Sequence, residues 1–515
     1  MMSTSYRIWG VVLLALCLRL IGLSDSGIWL DEVYPITFAS LPLFDGLVAA
    51  LRFDLHPPLY VVQLHLWSWF GQSDTWMLLN SVLWSVLGVV ALYWAVRERF
   101  NGAAAFWAAL FLAVMPRQIE FAQSARMYAM LTTLIIVAWG LQNRLLQPEA
   151  RRRDTVLFVS AAAAIAWTHV TGFFVLGLLG LYGGAMLVKF RAGRPQIRRF
   201  VLAQGAVVLA LLLPVANALV RNVGHATVPG LDAVGAAIPR EIVGPSALVF
   251  EPFLILAAGL TLVLTVGVWY ARKGRSELTL LVVLPLLVLL LLSYTVKPAW
   301  HSRNMVLVLP FLSIVGALLI VRLGAWLRLT PSGDRRQAGV VGGAVVAVLG
   351  LAALPYYLDY RKPNDFQEIG RVVGERVHAG DVLYIPRRDI FWGVAREWLG
   401  PDWGSPMKVQ DEAENPQWSD LYRLVGQDVL AGLGVSAETR SLRHDGVTLV
   451  LGYSRDVMVE HTRQVWVLDD PQPSRAVPSL AGFREVYREP IGGFALKLMI
   501  QEVYAQAPRD AGALR

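Results

Sequence analysis

The sequence predicts a polytopic α-helical membrane protein with about eleven transmembrane helices, followed by a C-terminal soluble α/β domain. Three observations lead there. The chain of 515 residues is 56% apolar with a mean hydropathy of +0.51, whereas a soluble domain runs nearer about 45–50% apolar. The surplus is confined to residues 1–355, in apolar runs of about 15 to 22 residues, while 356–515 has ordinary soluble composition. Basic residues, finally, lie in alternate loops.

The apolar runs place spans at about 8–23, 75–96, 103–118, 127–146, 154–168, 170–188, 200–220, 246–270, 277–294, 304–322 and 338–355. Residues 1–355 hold 27 Lys+Arg against 15 Asp+Glu, and 356–515 hold 19 against 23. The basicity behind the net charge of +8 and pI near 9.6 therefore belongs to the membrane half, the tail being slightly acidic. With the N-terminus cytoplasmic, 19 of those 27 cations fall in inside segments, among them Arg97, Arg99, Arg151, Arg152, Arg153, Arg198 and Arg199. Basicity that could have served nucleic acid is thereby read as a topology marker, and no nucleic-acid partner is expected. An odd number of spans carries the tail to the non-cytoplasmic side. The first span is expected to stay as an uncleaved anchor, since no A-x-A site follows "RLIGLSDSG". Cys17 is the chain's one cysteine, which excludes an internal disulfide framework.

Residues 24–74 form a first external loop that is neither clearly spanning nor clearly soluble. Its segments "LPLFDGLVAALRF" and "PPLYVVQLHLWSWFG" are apolar but broken by charge, proline and aromatics, as in helices lying at headgroup depth. The Pro pair of the second suits a helix start. A second external segment, "MPRQIEFAQSARMYAM", brings four ionisable residues up to the membrane. In the tail, "DVLYIP", "VTLVLGY", "RQVWVLDD" and "GFALKLMI" read as strands and "NDFQEIGRVVGERVHAG" as a helix. No phosphate loop of the G-x-x-x-x-G-K-S type follows a strand, which leaves an NTPase unsupported.

Asp31 and Glu32 stand just after the first span in "WLDEVY", where acids are costly unless used. They read either as an interfacial solubilising or capping pair or as a functional acid. Adjacent helical residues point about 100° apart, so at most one of them faces a shared site, and Asp31 is favoured. In "FDLHPPLY", Asp54 and His56 read as an Asx turn, or as ligands that join Asp31 and Glu32 on a divalent metal cation. Arg126 and Tyr128 enter the outer end of the fourth span, where Arg126 either snorkels or pairs with an anion. Arg303 stands similarly at the tenth span, with Lys297 and His301 before it. Cations ringing an external cavity suggest a phosphate. His169, in the tight turn "WTHVTG", reads as structural.

Taken together, "WLDEVY", "DLHPPLYVVQLHLW", "FAQSARMYAM" and "SRNMVLVLP", in this order and spacing over residues 8–355, resemble glycosyltransferase family 39. These are GT-C enzymes related to protein O-mannosyltransferases and to the aminoarabinose transferases of lipid A. The resemblance implies transfer of a sugar from a polyprenyl-phosphate donor to a glycolipid, glycan or protein acceptor, in a bacterial inner membrane with the tail periplasmic. Asp31 maps onto the first-loop acid and Arg126 onto the Arg of the second-loop motif. Family members commonly carry Arg-Tyr where this chain has Arg303-Asn304. Asp31 would be the base, and Arg126, Tyr128, Lys297 and Arg303 would hold the donor phosphate. A lipid flippase without covalent transfer is the competing class, against which stands the lack of an inverted repeat.

Overall fold

The computed structural model describes residues 3–25, 27–220, 279–295, 302–327, 335–358, 362, 366–385, 390, 393–394, 396–397, 435–436, 441–444, 447–451, 464–469, 483–491 and 494–501. In chain order its helices are α1 (Ser3–Leu20), α2 (Leu30–Ala39), α3 (Leu43–Phe53), α4 (Leu59–Ser68), α5 (Asp74–Arg99), α6 (Gly102–Val114), α7 (Pro116–Ala122), α8 (Tyr128–Leu145), α9 (Arg152–Ala166), α10 (Thr171–Lys189), α11 (Arg194–Val220), α12 (Leu284–Thr295), α13 (Leu309–Leu327), α14 (Arg335–Ala352), α15 (Leu354–Leu358) and α16 (Phe366–Arg376). The strands are β1 (Val382–Ile385), β2 (Val435–Ser436), β3 (Ser441–His444), β4 (Val447–Leu451), β5 (Gln464–Asp469), β6 (Phe483–Ile491) and β7 (Phe494–Gln501). Two compact units result, one of Met1–Leu23, Phe53–Tyr60 and Leu78–Tyr360, the other of Ser24–Arg52, Val61–Met77 and Arg361–Arg515.

The first unit is a helical bundle. α6 packs on α1 and α13, α8 on α9, and α9 on α11, around a core that includes Trp139, Phe158 and Phe311. Small residues let these helices close up without help from a hydrophobic drive in lipid. Ala104, Ala105, Ala108 and Ala109 give α6 a flat buried face. At Gly140 a Cβ would come within 2.6 Å of the Trp94 ring. By length and hydropathy, three described helices suffice to cross a bilayer, Asp74–Arg99, Thr171–Lys189 and Arg194–Ala218. These correspond to the expected spans 75–96, 170–188 and 200–220. α9, at 15 residues, and the apolar stretch Leu309–Leu323 are shorter, and the expected span 246–270 lies outside the described residues.

The span expected at 103–118 is not one straight helix. α6 ends at Val114 and α7 leaves at 63° to it, starting on Pro116. Proline has no N–H for the carbonyl four residues back, which here is Leu112. Arg19, on α1 and fully buried, fills that gap. Its Nη2 donates to Leu112 O at 3.3 Å, its Nη1 to Ala113 O at 2.8 Å and Ala15 O at 3.0 Å, and its Nε to Ser85 Oγ at 2.7 Å. All three of its nitrogens donate, two of them to carbonyls at the break. Arg19→Leu is expected to cost about 1–3 kcal/mol for each carbonyl left without a donor, read as a lowered thermal midpoint of the detergent-purified protein, with Arg19→Lys losing less.

The second unit contains the tail and most of residues 24–74. Its described strands form one sheet in the order β2-β3-β4-β1-β5-β7-β6. β1 lies parallel to β4 and β5, and the other pairings are antiparallel. Tyr384, Val465 and Val467 make a buried cluster on it. α16 buries Phe366, Ile369, Val372 and Val373 at helical spacing, and Gly380, at φ +97°, turns the chain from helix into β1. The four strands and the helix read from the sequence are all present; β2, β3 and β6 are additional.

By its contacts, the loop at 24–74 belongs with the tail more than with the membrane half to which the sequence assigned it. Charge explains part of this. Arg396 is buried and donates through Nε and Nη2 to Asp74 Oδ1 at 3.0 and 2.7 Å and through Nη2 to Gln72 O at 3.0 Å. Beside it, Trp67 and Trp76 stack at 4.8 Å, each indole N–H donating to the other's carbonyl.

Candidate active site

In the second unit, the acids of "WLDEVY" open α2. Trp29 precedes the helix in extended conformation at φ −119°, ψ 171°. Glu32 reaches back to accept the Trp29 N–H on Oε2 at 3.1 Å, the acidic half of a capping box and a favourable place for negative charge at a helix start. Its carboxylate is fully buried. Lys362, also buried, donates to Oε1 and Oε2 at 3.1 and 3.0 Å and to Gly27 O at 2.9 Å. Asp31, rotated about 100° around the helix from Glu32, is half-buried. The adjacent acids thus differ: Glu32 is locked by a tail lysine and Asp31 retains access to solvent.

In the first unit, the segment "MPRQIEFAQSARMYAM" surrounds Arg126. The Gln123 side-chain amide donates to Arg19 O at 3.0 Å and Ile21 O at 2.7 Å, and its Oε1 accepts from Tyr356 at 2.8 Å. Three hydrogen bonds, to the end of α1 and to α15, therefore fix the stretch between α7 and α8 in which Arg126 lies buried. Arg117, the other buried cation of the segment, pairs with Glu120 at 2.5 Å. Tyr128 starts α8, its ring 4.9 Å from Phe121 and 5.8 Å from His169.

His169 in turn stacks on His56, with ring centroids 4.0 Å apart and 29° between planes. The Nδ1 of His169 accepts the Thr171 N–H at 3.1 Å, with Thr171 Oγ1 2.8 Å away. A neutral ring then carries its proton on Nε2. His56 is turned by Asp54, whose Oδ1 accepts the His56 N–H at 3.0 Å, so the Asx turn read from the sequence is present. Burial holds His56 well below the usual imidazole range, and the positive charges of Arg126 and Arg303 depress it further. Its Nδ1 is enclosed without a protein partner. Arg303 stands half-buried in the 3-10 turn Ser302–Leu307. Two permanent guanidinium charges thus act on the His56 imidazole, an arrangement suited to an anion, above all a phosphate.

The structure thus groups His56, Tyr128 and His169 by ring contact, and Arg126 and Arg303 by their charge at His56. His169 was read as structural and belongs to this group. Its distance in sequence from "DLHPP" hid the contact. Lys297 and His301 lie outside the described residues. Among the described residues no three His, Cys, Asp or Glu side chains are grouped to hold a metal ion. Glu32 is engaged by Lys362, and Asp54 by the backbone of its own turn.

No protein-family model matches the sequence, and no curated protein does. Solved structures do match in fold. ArnT from Cupriavidus metallidurans bound to undecaprenyl phosphate aligns with a TM-score of 0.58 at 14% identity, covering 96% of this chain and 98% of that one. Its apo state gives 0.57 at 13%, covering 95% and 97%. The archaeal oligosaccharyltransferase AglB from Archaeoglobus fulgidus, in complex with an inhibitory peptide and a dolichol-phosphate, gives 0.50 at 12%, covering 83% and 68%. The chain has a GT-C-like membrane fold.

Proposed function

We propose that this protein is a membrane glycosyltransferase that moves a sugar from a polyprenyl phosphate to a glycolipid, glycan or protein acceptor on the non-cytoplasmic side, with inversion at the anomeric carbon. The observation that carries the reading is the pair of cations, Arg126 and Arg303, whose charge bears on His56, itself stacked on His169. The likeness in fold to a protein solved with undecaprenyl phosphate and one solved with a dolichol-phosphate supports it.

A sugar on a lipid phosphate leaves behind a stabilised phosphate anion, so the leaving oxygen needs no proton. What the enzyme must add is a base for the acceptor and positive charge for the phosphate. Asp31 takes the proton from the acceptor hydroxyl as its oxygen bonds to the anomeric carbon and the bond from that carbon to the phosphate oxygen breaks. Arg126 and Arg303, aided by Tyr128 and Lys297, offset the charge growing on the lipid phosphate. Where the acceptor is an already ionised phosphate, Asp31 orients it. Guanidiniums suit the task because their planar fork binds two phosphate oxygens and stays charged.

The test is incubation of the protein in lipid nanodiscs with polyprenyl-phosphate sugars and cell-envelope acceptors, followed by mass spectrometry of both. Appearance of free lipid phosphate with a glycosylated acceptor is the expected result. Movement of intact donor between leaflets without covalent transfer overturns the reading in favour of a flippase. One pH dependence follows from His56. Its folded pKa is lowered, so the ring stays neutral through the neutral range and gains charge only well below it. Affinity for undecaprenyl phosphate, read by titration, should accordingly show no step from His56 near the ordinary imidazole pKa of 6.5.

A further inference from the structure

We infer that Lys362, at the start of the tail, is a positioning residue for Asp31. It holds the first turn of α2 through Glu32 and so sets where the Asp31 carboxylate stands. The inference rests on the reading of Asp31 as the base that activates the acceptor.

All three protons of the Lys362 ammonium are used on this one turn, at Gly27 O, Glu32 Oε1 and Glu32 Oε2, within 2.9 to 3.1 Å. A second tie runs from the Phe366 N–H to Ile28 O at 3.2 Å. Residues 27, 28 and 32 are thus held by the segment that leads into α16, and Asp31 is bracketed between them. The turn needs outside support. Pro35 lies within α2 and lacks the N–H that helical geometry would direct to the Asp31 carbonyl. Gly27, at φ +57°, makes the approach to the helix pliable. Stability does not by itself account for such a pair, because apolar residues of the same volume commonly serve a fold equally well. What a buried, saturated ion pair supplies is a single fixed geometry next to the residue that needs it. The same geometry gives the exported tail a direct part in the chemistry.

The experiment compares full-length Lys362→Met, Lys362→Arg, Glu32→Gln/Lys362→Met and Asp31→Asn proteins in nanodiscs, measuring kcat, donor KM and thermal midpoint. In Lys362→Met, kcat should fall about a hundredfold, the loss that follows a shift of about 1 Å in a reacting group, while donor KM stays within about twofold. Lys362→Arg should recover most of the rate. Lys362→Met strands a buried carboxylate and can lose folded protein. The double variant removes that charge, so it should regain the thermal midpoint while kcat remains low. Native kcat in either folded variant, with Asp31→Asn slow, overturns the positioning role and leaves the base assignment standing. Native kcat in Asp31→Asn instead overturns the base assignment, and the positioning role with it.

Discussion

Asp31→Asn should lower the rate of sugar transfer by about two to four orders of magnitude, the contribution that a positioned general base makes, while the protein still inserts and melts normally. The reason lies in the contrast between the two acids. Glu32 is buried, and both its oxygens are taken by Lys362 and the Trp29 N–H. Asp31 is half-buried on another face of α2, so exchanging its carboxylate for an amide of the same shape removes basicity with little change in packing. The measurement is single-turnover transfer from a polyprenyl-phosphate sugar. Donor KM should hold, since the base acts on the acceptor. Glu32→Gln should behave differently, losing thermal stability along with rate because it strands Lys362 in a buried site.

Arg126→Ala should weaken binding of undecaprenyl phosphate by about 30-fold or more, since truncating one partner of a buried charge-assisted pair costs about 2–5 kcal/mol. Equilibrium titration of the lipid phosphate against protein in nanodiscs reads this directly. Arg126→Lys should retain part of the affinity, because charge survives and the bidentate fork does not. Affinity should also respond weakly to added salt, as screening acts poorly on a charge buried in the bundle. If Arg126→Ala binds the lipid phosphate with native affinity, the phosphate role of this cluster is wrong.

Local signals in the sequence reached a good part of this molecule. The Asx turn at Asp54 and the strands at 382–385, 447–451, 464–469 and 494–501 follow from patterns a few residues long. The helical setting of Asp31 and Glu32 was assumed in reading them, but the extent of α2 was not marked, because Pro35 and the β-branched Val33, Ile36 and Thr37 do not read as a helix former. The edge strand β6 was equally hidden. Its residues "FREVYREPI" are mostly exposed on both faces, so the alternation that marks a half-buried strand is missing. Pro116 sits inside the span expected at 103–118, and the carbonyls at the 63° turn are met by Arg19, a residue far earlier in the chain. The site divides in the same way. Asp31 and Arg126 announce themselves by placing charge at the membrane boundary. Lys362 and His169 do not, because their roles exist only through partners distant in sequence.

The buried guanidinium of Arg19 also has a consequence for biogenesis. Its partners Ser85, Leu112 and Ala113 are made long after α1 has left the ribosome. Until α5 and α6 arrive, Ala15 O of α1 itself is the one of these partners already made, and a cation so incompletely matched near hydrocarbon weakens the hold of α1 on the membrane. The first helix of this protein is therefore secured retroactively, and chains stopped before Ala113 should be extracted from membranes by mild alkali more readily than chains stopped after α7.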